Sequence, residues 1–377
     1  MEKLLVRYGE IGSKTRKVQQ QMRQVLRQRV ADRLEYEDLS YGRVSSTEGR
    51  ILVEDVDAEK AADAVAELPG VASVSPAYSC ENSLQQIREE AARLEIGSSF
   101  GVDTHRATET SFDSRDVNHE VGSFLEDKTG AEVDLESPET WVYVEIRSRG
   151  AYVFTEKIPG PDGFPVGTNG ELAALVSGGI DSPVAAYEVM KRGADITPVY
   201  FYNQPLAAED HLMRFRAAIK KLERFNPAPR WRYYIVDMEE VNRELMDEVE
   251  RGRMLMHREI MFRVAEELVE KDGLDGIVTG ESMGQKSSQT ARNLRNTSSI
   301  EKPIHRPLLT LSKNEIIRKA RKLGTYELAE VDSACRSIAP DHPATSMTQE
   351  KVEELREKVS IRQKAFKALE NTEKRDL

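Results

Sequence analysis

Cysteine is almost absent from these 377 residues: Cys80 and Cys335 are the only two. They lie far apart and neither belongs to a Cys-x-x-Cys pair, which excludes a disulfide framework and a cysteine-rich zinc site. No apolar run reaches the roughly 18 residues a membrane helix needs, so no membrane partner is expected. The start MEKLLVRYGE reads as a short charged strand, not a signal sequence. A cytoplasmic protein is expected. Repeats and low-complexity tracts are missing as well. Hydrophobic residues make up 39% and charged residues 32%, the balance of a globular chain and not of a disordered one. The length exceeds one typical core and implies two or three domains.

The formal net charge of −11 argues against a polyanionic partner when taken whole. Charge is uneven, however. Residues 13–33 hold seven Lys/Arg (Lys14, Arg16, Lys17, Arg23, Arg27, Arg29 and Arg33) against Asp32, and residues 286–322 hold ten against Glu301 and Glu315. Residues 51–139 are strongly acidic. Each basic island alone reads more simply as a solvated helix face; two on an acidic body favour a phosphate-binding track.

Periodicity divides the chain. Strands are expected at 3–8, 34–40 and 50–54, with a basic helix at 13–30 carrying Val18, Met22, Val25, Leu26 and Val30 on one stripe. A helix at 57–68, with Asp57 as its cap and Pro69-Gly70 as its stop, leads to a strand in VASVSPAY. The order β-α-β-β-α-β is the ferredoxin-like pattern, an α+β domain assigned to 1–78. Helices at 83–97 and 114–128, a strand at 100–107 and a hairpin at 141–158 turning on Arg149-Gly150 make a second α/β module, 79–160. IPGPDGFPVGTNG, with four Gly and three Pro in thirteen residues, is a linker. From 161 to 377 strands (172–176, 196–202, 232–237, 275–279) alternate with helices (182–192, 207–225, 239–271). That is the pattern of a doubly wound parallel sheet.

Ligands in such a sheet sit at the carboxyl ends of strands, and LVSGGIDSP (175–183) is at one. Gly178 and Gly179 permit positive φ and leave room for an anion beside bare backbone. Asp181 or Ser182 can cap the following helix, with Pro183 in its first turn. Free N–H groups and the helix dipole then face the anion. No lysine follows the glycines, unlike a loop that serves γ-phosphoryl transfer. The loop suits cleavage between the α and β phosphates, with pyrophosphate held as it leaves and Asp181 holding Mg²⁺ on it. This matches the PP-loop of the ATP pyrophosphatase group.

Three further stretches follow: VTGESMGQKSSQTARNL (278–294), HRPLLTLSKNEIIRKARKLGTYELA (305–329) and VDSACRSIAPDHPAT (331–345). With the PP-loop, the two N-terminal modules and GFPVGT before the last domain, the chain resembles the tRNA 4-thiouridine synthetase (ThiI) family over its whole length. The resemblance implies a ferredoxin-like domain and a THUMP domain that bind tRNA, and a PP-loop domain that uses ATP to adenylate the C4 oxygen of uridine 8. Sulfur then replaces the adenylated oxygen, releasing AMP. By the same resemblance Leu175, Val176, Ser177, Gly178, Gly179, Asp181, Ser182, Tyr200, Phe201, Arg258, Gly280 and Gln289 contact ATP. Lys313 and Cys335 join Asp181 as catalytic residues. Lys14, Arg16, Lys17 and Arg23 are the expected tRNA contacts.

The residues themselves bear on some of these. Ser312 can cap a helix in whose first turn Lys313 opposes the dipole, a local cost that suggests work at an anion. Tyr200 and Phe201 alone read as core. Cys335 is followed by Arg336, a cation that can favour thiolate, although a lone cysteine is more often a small buried hydrophobe. His342 reads as a loop residue and Cys80 as structural. Many relatives carry a C-terminal rhodanese domain; this sequence reaches Leu377 soon after one charged helix. The expected donor is therefore an external persulfide or thiocarboxylate carrier protein, or sulfide. A homodimer is suggested by the resemblance alone. Two other readings stand beside this one: another PP-loop adenylating enzyme acting on a small substrate, and a tRNA-binding protein without catalysis.

Overall fold

The computed structural model describes residues 2–47, 49–203, 210–227, 231–286, 289–297, 299–329 and 347–377. The chain forms two compact units, Met1–Pro165 and Val166–Leu377.

The first unit opens with β1 (Glu2–Arg7), α1 (Arg16–Tyr36), β2 (Arg43–Thr47), β3 (Arg50–Glu54), α2 (Ala58–Ala66) and β4 (Ser73–Cys80). Asp57 caps α2 by accepting from the Lys60 amide. The expected strand at 34–40 is incorrect. Met22, Leu26, Val30 and Leu34 are buried at four-residue spacing, so the apolar stripe carries α1 on to Tyr36 and the strand begins only at Arg43. Antiparallel pairing gives the order β2-β3-β1-β4. The second module supplies α3 (Leu84–Ala91), β5 (Ser99–Arg106), α4 (Ser114–Thr129), β6 (Glu132–Val133), β7 (Thr140–Arg147), β8 (Gly150–Phe154) and β9 (Ile158–Pro159). The helix expected at 83–97 stops at Ala91. Strand β4 pairs with β8, which joins the two modules into one continuous nine-stranded sheet.

Strand alternation gives this sheet two unlike faces. Leu4, Val6, Ile51, Val53 and Val74 pack with α1 and α2, while Phe100, Val102, Val142, Val144, Ile146 and Val153 pack with α3 and α4. The opposite face carries Leu5, Leu52, Ala77, Tyr152 and Phe154, and beside them a buried carboxylate. Glu145 meets Arg7 at 2.7 Å, Arg50 at 3.1 Å and Arg147 at 3.0 Å. Burial alone would raise its pKa, but Arg7 and Arg50 outweigh burial and hold it at about 2.

The second unit contains β10 (Glu171–Leu175), α5 (Asp181–Lys191), β11 (Asp195–Tyr202), α6 (Asp210–Glu223), β12 (Arg232–Asp237), α7 (Glu239–Glu248), α8 (Arg253–Asp272), β13 (Gly276–Thr279), α9 (Ala291–Asn296), β14 (Ile304–His305), α10 (Lys313–Leu323), α11 (Gln349–Val359), α12 (Ile361–Glu370) and β15 (Thr372–Asp376). The sheet order is β14-β13-β10-β11-β12-β15, parallel except for β15. Helices cover both faces, one core including α7, α8, α11 and α12, the other α5, α6 and α10. Two expectations change here. The single helix expected at 239–271 is two, broken at Gly252, whose φ of +91° suits glycine. The single charged helix expected near the C-terminus is also two, turning at Ser360 (φ +54°), and β15 then pairs antiparallel with β12. No described helix is long and apolar enough to cross a membrane.

The Glu145 cluster gives a pH prediction. Its folded pKa of about 2 lies below the ordinary 4.5, so its stabilisation is complete above about pH 4.5 and is lost as pH falls toward 2. Glu145→Gln is expected to destabilise at pH 7 by about 3–5 kcal/mol, because the buried Arg7 and Arg147 and the half-buried Arg50 lose their shared counter-charge, and to flatten that acid limb. Denaturant unfolding across pH 2–7 checks both; an unchanged acid limb would mean that another group titrates.

Candidate functional site

Strands β10, β11 and β13 run in parallel, and their carboxyl ends open on a cleft of about 400 Å³. The loop 176–180 leaves β10 and enters α5. Its conformation is set by Ser182, whose Oγ accepts from the Ser177 amide at 2.8 Å and lies 3.0 Å from the Ser177 Oγ. Ser182 is thereby spent on the loop. Helix α5 starts from Ile180 with no side-chain cap, so the expected capping by Asp181 or Ser182 does not occur. An uncapped first turn leaves peptide N–H groups for a ligand.

The glycines work differently from the expectation. Neither Gly178 nor Gly179 has positive φ. Gly178 is instead pressed against α6, where a Cβ would come within 3.2 Å of the Arg214 Cβ and 3.3 Å of the His211 carbonyl oxygen. Gly179 leaves the loop surface bare, with only the Ser177 Oγ 3.4 Å from a Cβ position. Gly280 has a packing reason of its own. A Cβ there would meet the Ser182 nitrogen at 2.8 Å and the Asp181 carbonyl carbon at 2.9 Å. The turn after β13 is thus the floor on which the start of α5 rests.

The remaining wall comes from β11, α8, the segment after β13, and α10. Leu175, Val176, Tyr200 and Phe201 end the strands; Tyr200 is 3% exposed and stacks on Phe215 at 4.8 Å. Lys313 reaches across from α10 and donates to Asp181 Oδ1 at 2.6 Å. Its helix is capped by Ser312 and Glu315 in a reciprocal box, and Lys319 of the same helix pairs with Glu188 of α5 at 2.6 Å. Gln289 is 5% exposed, lines the cleft, and its Oε1 has no hydrogen-bond partner among the described residues. Such a buried acceptor wants a donor.

All the residues proposed from the sequence as nucleotide contacts, together with Lys313, line this cleft. Cys335, and with it His342, lies outside the described residues. Lys14, Arg16 and Lys17 are exposed at the start of α1 in the first unit, and Arg23 is half-buried. Two members of that basic island are already occupied: Arg33 is buried between Glu37 and Glu67, and Arg29 pairs with Asp32. Cys80 is half-buried, and burial pushes its thiol up to about 12, which fits an inert structural role.

Several cleft residues had no signal in the sequence. His257 is fully buried on α8, where loss of solvent and the nearby Arg258 lower its pKa to about 4, so it is neutral near pH 7. Its Nε2 lies 3.2 Å from the Asn203 Oδ1. Glu281, which lines the cleft, forms ion pairs with both Arg258 and Arg306. An isolated His or Glu in a helix or loop does not announce burial; only the glycine before Glu281 hinted at a turn.

Uncapped amides at the carboxyl end of a parallel strand, flanked by cations and an apolar wall, define a nucleotide-binding α/β domain of the PP-loop kind. Residues 167–361 match the family described as "Thiamine biosynthesis protein (ThiI)", residues 82–156 the THUMP domain, and residues 3–75 the "ThiI ferredoxin-like domain". The "Probable tRNA sulfurtransferase" of Halobacterium salinarum is 40% identical over 93% of this chain and 92% of its own length. Its counterpart in Methanosarcina acetivorans is 34% identical over 90% and 85%. Among solved structures, "Crystal structure of a 4-thiouridine synthetase - RNA complex with bound ATP" matches with a TM-score of 0.90 and 28% identity, covering all of both chains. PH1313 from Pyrococcus horikoshii matches with a TM-score of 0.67 and 26% identity, over 86% of this chain and all of that one. The chain belongs to the ThiI family of tRNA sulfurtransferases.

Gly280→Ala is expected to cost about 1–3 kcal/mol, because the added methyl meets backbone and not a movable side chain. Gly122→Ala is the control. It lies within α4 with nothing within 4 Å of the added atom and should be stabilised by about 0.5–1 kcal/mol. Melting curves of the two variants check the opposite signs.

Proposed function

We propose that this chain is an ATP-dependent tRNA 4-thiouridine synthase acting at uridine 8. The observation that carries the reading is the uncapped start of α5 beside Gly178 and Gly179, with Lys313 and Arg258 on the same cleft. Bare amides suit the phosphates, while Tyr200, Phe201 and Phe262 offer an apolar wall for a flat base. The orphaned Oε1 of Gln289 can accept from an amine or hydroxyl of the nucleotide. The C4 oxygen of the uridine attacks the α-phosphorus and pyrophosphate leaves against the amides of 178–182. A sulfur nucleophile then attacks C4, and AMP departs with the former uridine oxygen.

Asp181 is the residue that would hold Mg²⁺. Among the described residues no group of three or more His, Cys, Asp or Glu gathers around a possible metal. The ion would therefore complete its shell with phosphate oxygens and water, as magnesium commonly does. Bound there, it would supply positive charge to the leaving pyrophosphate. Without it, Asp181 is neutralised by Lys313; with the nucleotide in place the lysine is free to move to a phosphate.

Within these residues Cys335 is the sulfur-bearing candidate, since Cys80 is held as an unreactive thiol. The sulfur itself comes from an external persulfide or thiocarboxylate carrier, or from sulfide. The tRNA meets Lys14, Arg16, Lys17 and Arg23. The first three surround the start of α1, where no acidic residue balances them against the dipole. That arrangement is locally unfavourable and suits an RNA backbone. Residues 1–78, 79–160 and 161–377 act as ferredoxin-like, THUMP and catalytic domains, in the cytoplasm where tRNA is found; a homodimer is compatible with this reading.

Incubation with unmodified tRNA, ATP, Mg²⁺ and sulfide should release AMP and produce thiouridine absorbance. Release of AMP only with a small acid would favour a different adenylating enzyme, and tRNA retention without AMP a binding protein. Asp181→Ala should abolish AMP formation while tRNA still binds. Cys335→Ser should keep adenylation and lose thiolation from a protein donor; normal thiolation with every donor would remove the role given to Cys335. Neutralising Lys14, Arg16 and Lys17 should weaken tRNA binding and flatten its salt dependence, and unchanged affinity would dismiss that surface.

A further inference from the structure

Glu281 follows the Gly280 turn and is only 2% exposed. A carboxylate is rarely buried so deeply unless it is paired. Here each oxygen has its own arginine. Oε1 accepts from Arg258 Nη1 of α8 at 2.6 Å, and Oε2 from Arg306 Nε, just after β14, at 2.7 Å. Arg306 lies 6.0 Å from the centre of the Phe262 ring, a cleft residue. Glu281 thus ties together three segments that meet only in the folded domain.

Arg258 lines the cleft, and Glu281 is its one ion-pair partner among the described residues. A guanidinium has five N–H donors in a rigid plane. Fixing Nη1 fixes the orientation of the plane and leaves the other donors for a ligand. We propose that Glu281 is a positioning residue: it orients Arg258 toward the nucleotide phosphates and, through Arg306, holds that arginine in register with the segment leading to α10 and Lys313. Glutamine could not replace it. The isostere carries no charge to separate two arginines and turns an N–H₂ donor toward one of them. The inference rests on the reading of the cleft as an ATP site.

The test is a double-mutant cycle read by titration of the full-length chain with a fluorescent ATP analogue, with melting temperatures recorded alongside. Glu281→Gln and Arg258→Met should each weaken binding by about tenfold or more, and the double variant should bind no worse than the weaker single one, since both remove the same contact. If Glu281→Gln binds as the unsubstituted chain does while Arg258→Met is weakened, the positioning role is overturned and the ATP reading stands. If the two losses multiply, Glu281 acts independently of Arg258 and the proposal is equally overturned. If Arg258→Met binds normally, Arg258 is no phosphate contact and the proposal falls with it. Should Glu281→Gln not fold, Glu281→Asp takes its place in the same cycle: it keeps the charge but is too short to reach both guanidinium groups.

Discussion

A helix that begins at Asp181 without a side-chain cap keeps its first-turn N–H groups for whatever enters the cleft. Much of the second unit serves to hold that start in place. Ser182, which could have capped it, is turned back to bind the Ser177 amide. Gly280 lets the neighbouring strand end press directly against the backbone of Asp181 and Ser182. Gly178 lets the loop lie against α6. The result is a helix start whose main-chain N–H groups are left uncapped beside the cleft, as the proposed phosphate site requires.

The charges around this site follow the same logic. Lys313 and Asp181 are partly exposed, and ion pairs of that kind contribute little to stability. Their pairing is therefore easily exchanged when a phosphate or a metal arrives. The pair between Arg258 and Glu281 is of another kind, a half-buried guanidinium held by a carboxylate that is itself fully buried. One cation is thus held by a partly exposed, exchangeable pair and the other by a buried carboxylate, a division that suits the proposed nucleotide site. In the first unit Glu145 plays a purely architectural part among Arg7, Arg50 and Arg147, beside the apolar patch opposite the helices.

The net charge of −11 need not oppose an RNA partner. Arg29 and Arg33 are drawn into ion pairs on α1, and Lys14, Arg16 and Lys17 remain exposed near its start. What matters for a polyanion is such local clustering, within a Debye length, and not the sum over the chain.

The sequence alone determined what depends on local spacing: the alternation of strands and helices, the Asp57 cap, the Ser312 cap, and the Ser-Gly-Gly-x-Asp-Ser loop at a strand end. Each is a matter of neighbours within a few residues. It misjudged features whose cause lies across the fold. Leu34 extends α1 because it continues a buried stripe, Gly252 breaks a helix against Met347 and Leu355, and Gly178 lies close against α6 while neither loop glycine has positive φ. Only the tertiary structure decided that Glu281, with no motif of its own, would sit between Arg258 and Arg306. Burial, and the partner a buried charge finds, are properties of segments brought together from distant parts of the chain, and no short stretch of sequence contains them.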